Sequence, residues 1–200
     1  MATARQAQNA AERRRQILDA AVVVFARQGF TGCRVSDIAD EAGVAYGLVY
    51  HYFKSKDEVL DTLFLERWDV MLEVIKELDA DARPAREKLK TIVSFIVESY
   101  RHDPELMQVI IVEVTRSVVG RRHLPKIQEA YERIADIVAR AQAAGEFRDE
   151  VSPQFAAMAF YGAIEQVLTG WIFGFLPATP ADLDQAKHHV VETVCSGLDG

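Results

Sequence analysis

Cysteine is almost missing from this chain: Cys33 and Cys195 stand far apart and alone. Two such residues make neither a disulfide framework nor a zinc site, so a reducing cytoplasm is the simplest setting. No ordered Ser/His/Asp set, metal-ligand spacing or glycine-rich phosphate loop is present, which argues against an enzyme and against a bound cofactor. A secretory leader is also lacking, since Met1 to Ala11 is polar and Glu12 to Gln16 is charged. Long apolar runs are scarce too. Phe155 to Leu176 (FAAMAFYGAIEQVLTGWIFGFL) spans 22 residues with one formal charge, a length that would cross a bilayer. However, Glu165 and Gln166 lie at its centre, where an acidic side chain costs about 2.5 to 3.5 kcal/mol. A segment this apolar is expected to be buried by protein, in a core or between subunits.

What is present fits an ordered globular protein. Half of the 200 residues are apolar and 26% are charged, so one domain or two small ones can bury a substantial core. The chain is acidic, with a net charge of −7, but unevenly so. Met1 to Lys56 carries 8 Lys and Arg against 5 Asp and Glu, a net of +3, and the remainder carries 15 against 25, a net of −10. An anionic partner would therefore bind the N-terminal end, where Arg13, Arg14 and Arg15 lie together. Those three arginines also suit a merely solvated helix start.

Periodicity finds helices throughout and no convincing strand, so the fold class is all-α. Ala11 to Gln28 has apolar residues at helical spacing and stops at Gly29. Ser36 to Ala42 is a short helix closed by Gly43, which takes a left-handed cap without a Cβ penalty. Ser55 to Glu58 reads as a capping box opening a long helix striped by Leu60, Phe64, Trp68, Met71, Ile75 and Leu78. Pro84 sits in the first turn of a helix reaching about Arg101. Pro104 to Thr115, Pro125 to Ala144, Ser152 to Leu176 and Asp182 to Leu198 follow. Met71, Met107 and Met158 read as core fillers.

One stretch is unusual for an acidic protein. Ala45 to Lys56, AYGLVYHYFKSK, crowds four aromatic rings, a histidine and two lysines into twelve residues. At roughly 100° per residue, Tyr46, Gly47, Tyr50, His51 and Lys54 share one arc, and Leu48, Val49, Tyr52 and Phe53 share the other. One face is core. The other offers hydroxyls, an imidazole and an ammonium, which suit phosphate oxygens, and Gly47 leaves room for a ligand to approach the backbone. Behind the Gly43-Val44 turn, the segment has the shape of a recognition helix in a helix-turn-helix.

The run VSDIADEAGVAYGLVYHYFKSKDEVL, Val35 to Leu60, resembles the DNA-binding domain of TetR-family transcriptional regulators. With the first helix, the resemblance covers Glu12 to about Leu65, and the helical remainder is similar in length to that family's ligand-binding and dimerisation domain. The resemblance implies an N-terminal three-helix DNA-binding domain, contact with double-stranded operator DNA by Tyr46, Gly47, Tyr50 and His51, phosphate contact by Lys56, and a homodimer on a two-fold operator. Arg34, Ser36, Ala45 and Lys54 complete the candidate interface. Arg34 stands where the family usually has Thr, and Ala45 where Ser is frequent. The reading divides the chain into residues 1–56, an N-terminal arm with the helix-turn-helix, and 57–200, for effector binding and dimerisation, with 57–80 as the connecting helix.

The effector domain holds a basic island, TRSVVGRRHLPK, with Arg116, Arg121, Arg122, His123 and Lys126 and no acid. It suits a polyanionic head group, with an apolar lining from Phe95, Ile96, Met107, Ile110, Ile111, Val114, Tyr131 and Ile134. Each methylene of a hydrocarbon tail buried there would contribute about 0.8 kcal/mol. ELMQVIIVEVTRS, with the later AGEFRDEVSPQFAAMAFYGAIEQVLTGW, is similar to the fatty-acid-degradation repressors of the TetR family, for which acyl-CoA is the implied effector. An uncharged, drug-like ligand beneath a solvated basic loop is the alternative. His188, His189 and Glu192 superficially resemble a metal set, but adjacent histidines point to different helix faces. The rival class is a helical lipid carrier or enzyme without DNA binding, which would show no salt-dependent affinity for duplex DNA.

Overall fold

The computed structural model describes the backbone of residues 2–114 and 122–198, and side chains over 5–113 and 122–198. Among the described residues there are nine α-helices and no strand. They are α1 (Ala2–Gln28), α2 (Val35–Ala42), α3 (Tyr46–Tyr52), α4 (Lys56–Ala80), α5 (Ala85–His102), α6 (Pro104–Gln108), α7 (Leu124–Ala143), α8 (Pro153–Ile172) and α9 (Pro180–Ser196). A π-helical turn, Val109–Val114, continues α6. None of the described helices is long and apolar enough to cross a membrane.

The described residues fall into two compact units, one of residues 2–67 and 105–114, the other of residues 68–104 and 122–198. This differs from the expected division after Lys56. The first turns of α4 bury Val59, Leu60, Leu63 and Phe64, which ties them to the first unit's core. The segment after α5 also returns to that unit, where the Gln108 amide donates to the Ala26 carbonyl at 3.3 Å.

In the first unit, α1 packs on α2 and α2 on α3. Their shared core contains Ile17, Leu18, Val24, Phe25, Ile38, Val49 and Phe53, each burial contributing about 1.5 to 3 kcal/mol for the larger side chains. In the second unit, α7 packs on α8, and α9 packs on both α5 and α8. Leu89 and Ile92 of α5, Ile134 and Ile137 of α7, Phe160 and Leu168 of α8 and Val191 of α9 are buried there. Met71 and Met107 are buried as core fillers, but Met158 is exposed on α8.

Local chemistry sets the ends. The Ser55 hydroxyl accepts from the Glu58 N–H at 3.1 Å, while the Glu58 carboxylate takes the N–H of Lys54 rather than that of Ser55. Pro84 caps α5, and the Ala85 N–H donates to Glu146 at 2.9 Å. The helix expected to reach Leu176 stops at Ile172, because Gly174 turns left-handed and the N–H groups of Phe175 and Leu176 fold back to the Gly170 carbonyl. Thr179 then opens α9 two residues earlier than the sequence pattern places it, in a reciprocal cap with Asp182.

Candidate nucleic-acid interface and effector region

The turn between α2 and α3 is fixed by backbone chemistry. Gly43 has φ +62° with open space around its missing Cβ, so conformation rather than crowding demands glycine. Its N–H donates to Asp40, and that of Val44 to Ala39. The Gln16 amide donates to the Ala42 carbonyl at 2.7 Å, fastening α1 to the turn. Ala45 is the N-cap of α3 and offers no side-chain cap, so the recognition helix depends on packing for its stability.

The two arcs of α3 separate as the periodicity requires. Val49 and Phe53 are buried, and Leu48 and Tyr52 are half-buried. Tyr46, Gly47, Tyr50, His51 and Lys54 are exposed, with Tyr46 at 53% and Tyr50 at 44%. The two tyrosine hydroxyls share one hydrogen bond at 3.2 Å, and their rings meet edge to face with centroids 5.0 Å apart. That hydrogen bond, with smaller help from desolvation, raises the Tyr50 phenol and keeps it protonated. Nothing stands within 4 Å of a Cβ placed on Gly47. Beneath this face, the Arg14 guanidinium lies over Phe53 and pairs with Glu66 at 2.7 Å.

The flanking candidates behave differently from one another. Arg34, the N-cap of α2, is exposed, and its N–H donates to the Asp37 carboxylate at 2.7 Å. Ser36 is half-buried in the first turn, Ala45 is exposed, and Lys54 is exposed at the end of the recognition face. Lys56 has a task the sequence did not reveal. Its ammonium donates to the carbonyls of Phe30 and Cys33 and lies 4.5 Å from the Phe30 ring centroid. It thus ties the loop after α1 to the start of α4, leaving at most one proton for a phosphate.

The candidate effector residues divide between the units. Met107, buried, and Ile110 and Ile111, half-buried, belong to the first. Phe95, Ile96, Arg122, Tyr131 and Ile134 belong to the second, where Ile96 and Ile134 are core and Arg122 is exposed. Phe95 lines a groove of about 560 Å³ with Val74 and Leu78, rimmed by Glu77, Asp81 and Glu98. Arg116, Arg121 and the side chain of Val114 lie outside the described residues. Within the basic island, Lys126 pairs with Asp69. Glu192, in the superficial metal set, pairs with Arg86 at 2.9 Å.

Sequence reasoning missed a polar cluster in the second unit. The Tyr131 and Tyr161 rings lie 5.3 Å apart, edge to face, and Trp68 lies 6.2 Å beyond Tyr161. Glu165 follows Tyr161 by one turn on α8, so the two share a face. Burial raises the Glu165 carboxyl above its ordinary range. Burial first, then the charge of Glu165, raises both tyrosine phenols. The spacing of Tyr161 and Glu165 on an otherwise apolar helix was the available signal.

An α2-turn-α3 pair presenting one exposed polar-aromatic face on a small three-helix core defines a helix-turn-helix DNA-binding regulator. The chain belongs to the tetR family of bacterial regulatory proteins: residues 17–63 match that family's DNA-binding region, and residues 86–194 match the domain described as tetracyclin repressor-like, C-terminal. It is similar to the fatty acid metabolism regulator protein of Bacillus subtilis, at 31% identity over 92% of this chain and 94% of that protein. It is also similar to the transcriptional repressor NicS of Pseudomonas putida, at 29% over 73% and 71%. Among solved structures, the B. subtilis transcriptional regulator FadR in complex with stearoyl-CoA matches with a TM-score of 0.79 and 28% identity, covering 92% of this chain and 98% of that one. The fatty acid degradation regulator FadR of Bacillus halodurans matches with a TM-score of 0.78 at 28% identity, with the same coverage. The protein is a DNA-binding transcriptional regulator.

Proposed function

We propose that this protein is a cytoplasmic, homodimeric repressor that holds a two-fold operator through α3 and releases it when a long-chain acyl-CoA binds its C-terminal helices. It carries out no catalysis in this reading. The observation that supports it best is the exposed face of Tyr46, Gly47, Tyr50, His51 and Lys54 over buried Val49 and Phe53. In the major groove, His51 and Tyr46 reach base edges, while Arg34, Ser36, Tyr50 and Lys54 hold phosphates and Ala45 lies against the backbone. Lys56 adds any phosphate contact through its remaining proton. Dimers of this motif need half-sites about 34 to 36 Å apart, so a small rotation breaks register.

The effector reading is supported by the likeness to a regulator solved with stearoyl-CoA. Arg116, Arg121 and Arg122 would take the phosphates, with apolar lining from Phe95, Ile96, Met107, Ile110, Ile111, Val114, Tyr131 and Ile134. In this reading the effector shifts α4, and the two recognition helices lose their spacing. The ligand must bind the released arrangement more tightly, since equal affinity would shift nothing. The test is a DNA-release titration with long-chain acyl-CoA, short-chain acyl-CoA, free fatty acid and coenzyme A. Release by the long-chain thioester alone, weakened by Arg121→Ala with Arg122→Ala, is the expected result. Equal potency of free fatty acid would remove the phosphate-binding role.

A further inference from the structure

Arg13, Arg14 and Arg15 stand side by side in α1, and the structure sorts them by what each is bonded to. Arg14 pairs with Glu66 at 2.7 Å and Arg15 with Asp19 at 2.8 Å, so an acid already balances each of those charges. Arg13 is exposed and donates at 2.8 Å to the Gln16 side-chain oxygen, a neutral acceptor. Its charge is therefore unbalanced, and its other N–H donors are left for another partner. Gln16 in turn reaches the segment that leads into the recognition helix. Its amide nitrogen donates at 2.7 Å to the carbonyl of Ala42, the last residue of α2. That carbonyl is an orphan of the helix end: the N–H groups of Gly43 and Val44 go to Asp40 and Ala39, and no main-chain N–H among the described residues goes to Ala42. The amide can face only one way. The guanidinium is purely a donor and the carbonyl purely an acceptor, so a flipped amide would set donor against donor and acceptor against acceptor.

We propose that Arg13 holds an operator phosphate and that Gln16 is the positioning residue that fixes this contact relative to α3. This rests on the reading of α3 as the operator-facing helix and is independent of the effector. Two hydrogen bonds connect the Arg13 guanidinium to Ala42, and the chain from Ala42 runs through Gly43, Val44 and Ala45 straight into Tyr46 and the exposed face. α3 has seven residues and no side-chain cap, too little to hold itself, so its aim depends on how the turn before it is fastened. Phosphate contacts fix the register in which a recognition helix meets the bases. A phosphate on Arg13 sets that register through Gln16. Without the glutamine amide the cation remains, but it is untied from the turn, and its phosphate no longer helps to aim α3.

The experiment measures binding of the full-length protein to a duplex enriched from random sequence by the parent protein, and to a scrambled duplex of equal length, at several salt concentrations. The variants are Arg13→Ala, Gln16→Met and the two combined, each checked by its melting transition. Arg13→Ala is expected to weaken binding to both duplexes by about tenfold, as for the loss of a hydrogen bond to a charged group, and to flatten the salt dependence by about one unit. Gln16→Met should weaken binding to the enriched duplex alone. In its background the cost of Arg13→Ala on that duplex should shrink to about threefold or less, while on the scrambled duplex it stays at about tenfold. A glutamine with a merely structural role would lower Tm and leave the cost of Arg13→Ala unchanged, so additive losses on the enriched duplex overturn the positioning role. An unchanged salt slope in Arg13→Ala, with the parent's preference for the enriched duplex intact, overturns the phosphate contact and leaves the reading of α3 standing. A parent protein that enriches no sequence overturns that reading and this inference with it. If Gln16→Met does not fold, Gln16→Asn, whose shorter amide cannot span both partners, takes its place in the cycle under the same criteria.

Discussion

Two lysines near α3 look alike in the sequence and do different work. Lys54 ends the recognition face with its side chain in solvent, whereas the Lys56 ammonium is held by two main-chain carbonyls. Lys54→Ala is therefore expected to weaken DNA binding similarly across sequences and flatten the salt dependence by about one unit. Lys56→Ala should lower Tm first, since it removes the ammonium from the Cys33 carbonyl and leaves the Phe30 carbonyl only the weak Cys33 thiol donor, and titrations at several salt concentrations with thermal melts of each variant separate the two effects. Tyr46 and Tyr50 form a unit, because one hydroxyl spends its proton on the other and a single O–H remains to point outward. Removing either hydroxyl should therefore cost nearly as much DNA affinity as removing both. Additive losses in a Tyr46→Phe, Tyr50→Phe cycle would show that each acts alone. The exposed arc was legible in the sequence, since helical spacing alone separates Tyr46 and Tyr50 from Val49 and Phe53. The occupation of Lys56 was not, since its partners lie 26 and 23 residues away.

Most helices were legible from apolar spacing and caps: Gly43, Ser55, Pro84 and Gly29 each mark an end that the structure keeps. What failed left no mark in the apolar pattern: α8 ends early at the left-handed Gly174, inside an apolar run. The helix after Pro104 changes to π-helical geometry at Val109, although nothing in VIIVEV breaks the apolar pattern. On α8, a long apolar run concealed one useful exception. Burial raises the folded-state pKa of Glu165, so between its ordinary value and that raised value the folded protein holds more protons than the unfolded chain. Stability is then lost as pH rises through this window. Glu165→Gln should accordingly raise Tm at neutral pH, by about 2–4 °C for each kcal/mol recovered, and leave it little changed where the carboxyl is protonated in both states. Melting curves at pH 4 and pH 7.5 test this. An equal gain at both would mean that the glutamine packs better, with no charge being relieved.

At the scale of the whole molecule, the apolar residues that the single chain leaves in solvent point to a second copy. Phe155 is 68% exposed, Met158 56%, Phe173 50% and Phe175 79%, all on α8 or the turn that follows it. Phe155 and Met158 are one turn apart and share a face of the helix, and a patch of this kind on a soluble chain marks an association surface. The sequence singled out Phe155 to Leu176 as a segment to be buried in a core or between subunits, but periodicity could not say which of its residues face inward, because the segment is apolar nearly all round. In the structure Phe160, Ile164, Leu168 and Trp171 fill the unit's own core, while Phe155, Met158, Phe173 and Phe175 stay exposed. Burying several large side chains at about 1.5 to 3 kcal/mol each is enough to make the dimer tight. Phe155→Glu with Met158→Glu is therefore expected to produce folded monomer at micromolar concentration in sedimentation velocity. Val70→Glu, at an exposed apolar position on α4, should leave the dimer intact. DNA affinity should fall with the dimer by about two to four orders of magnitude, because two linked half-site contacts become independent ones. A double variant that sediments as a monomer yet binds the operator as tightly as the parent protein would show that one copy suffices, and the two-fold operator reading would go with it.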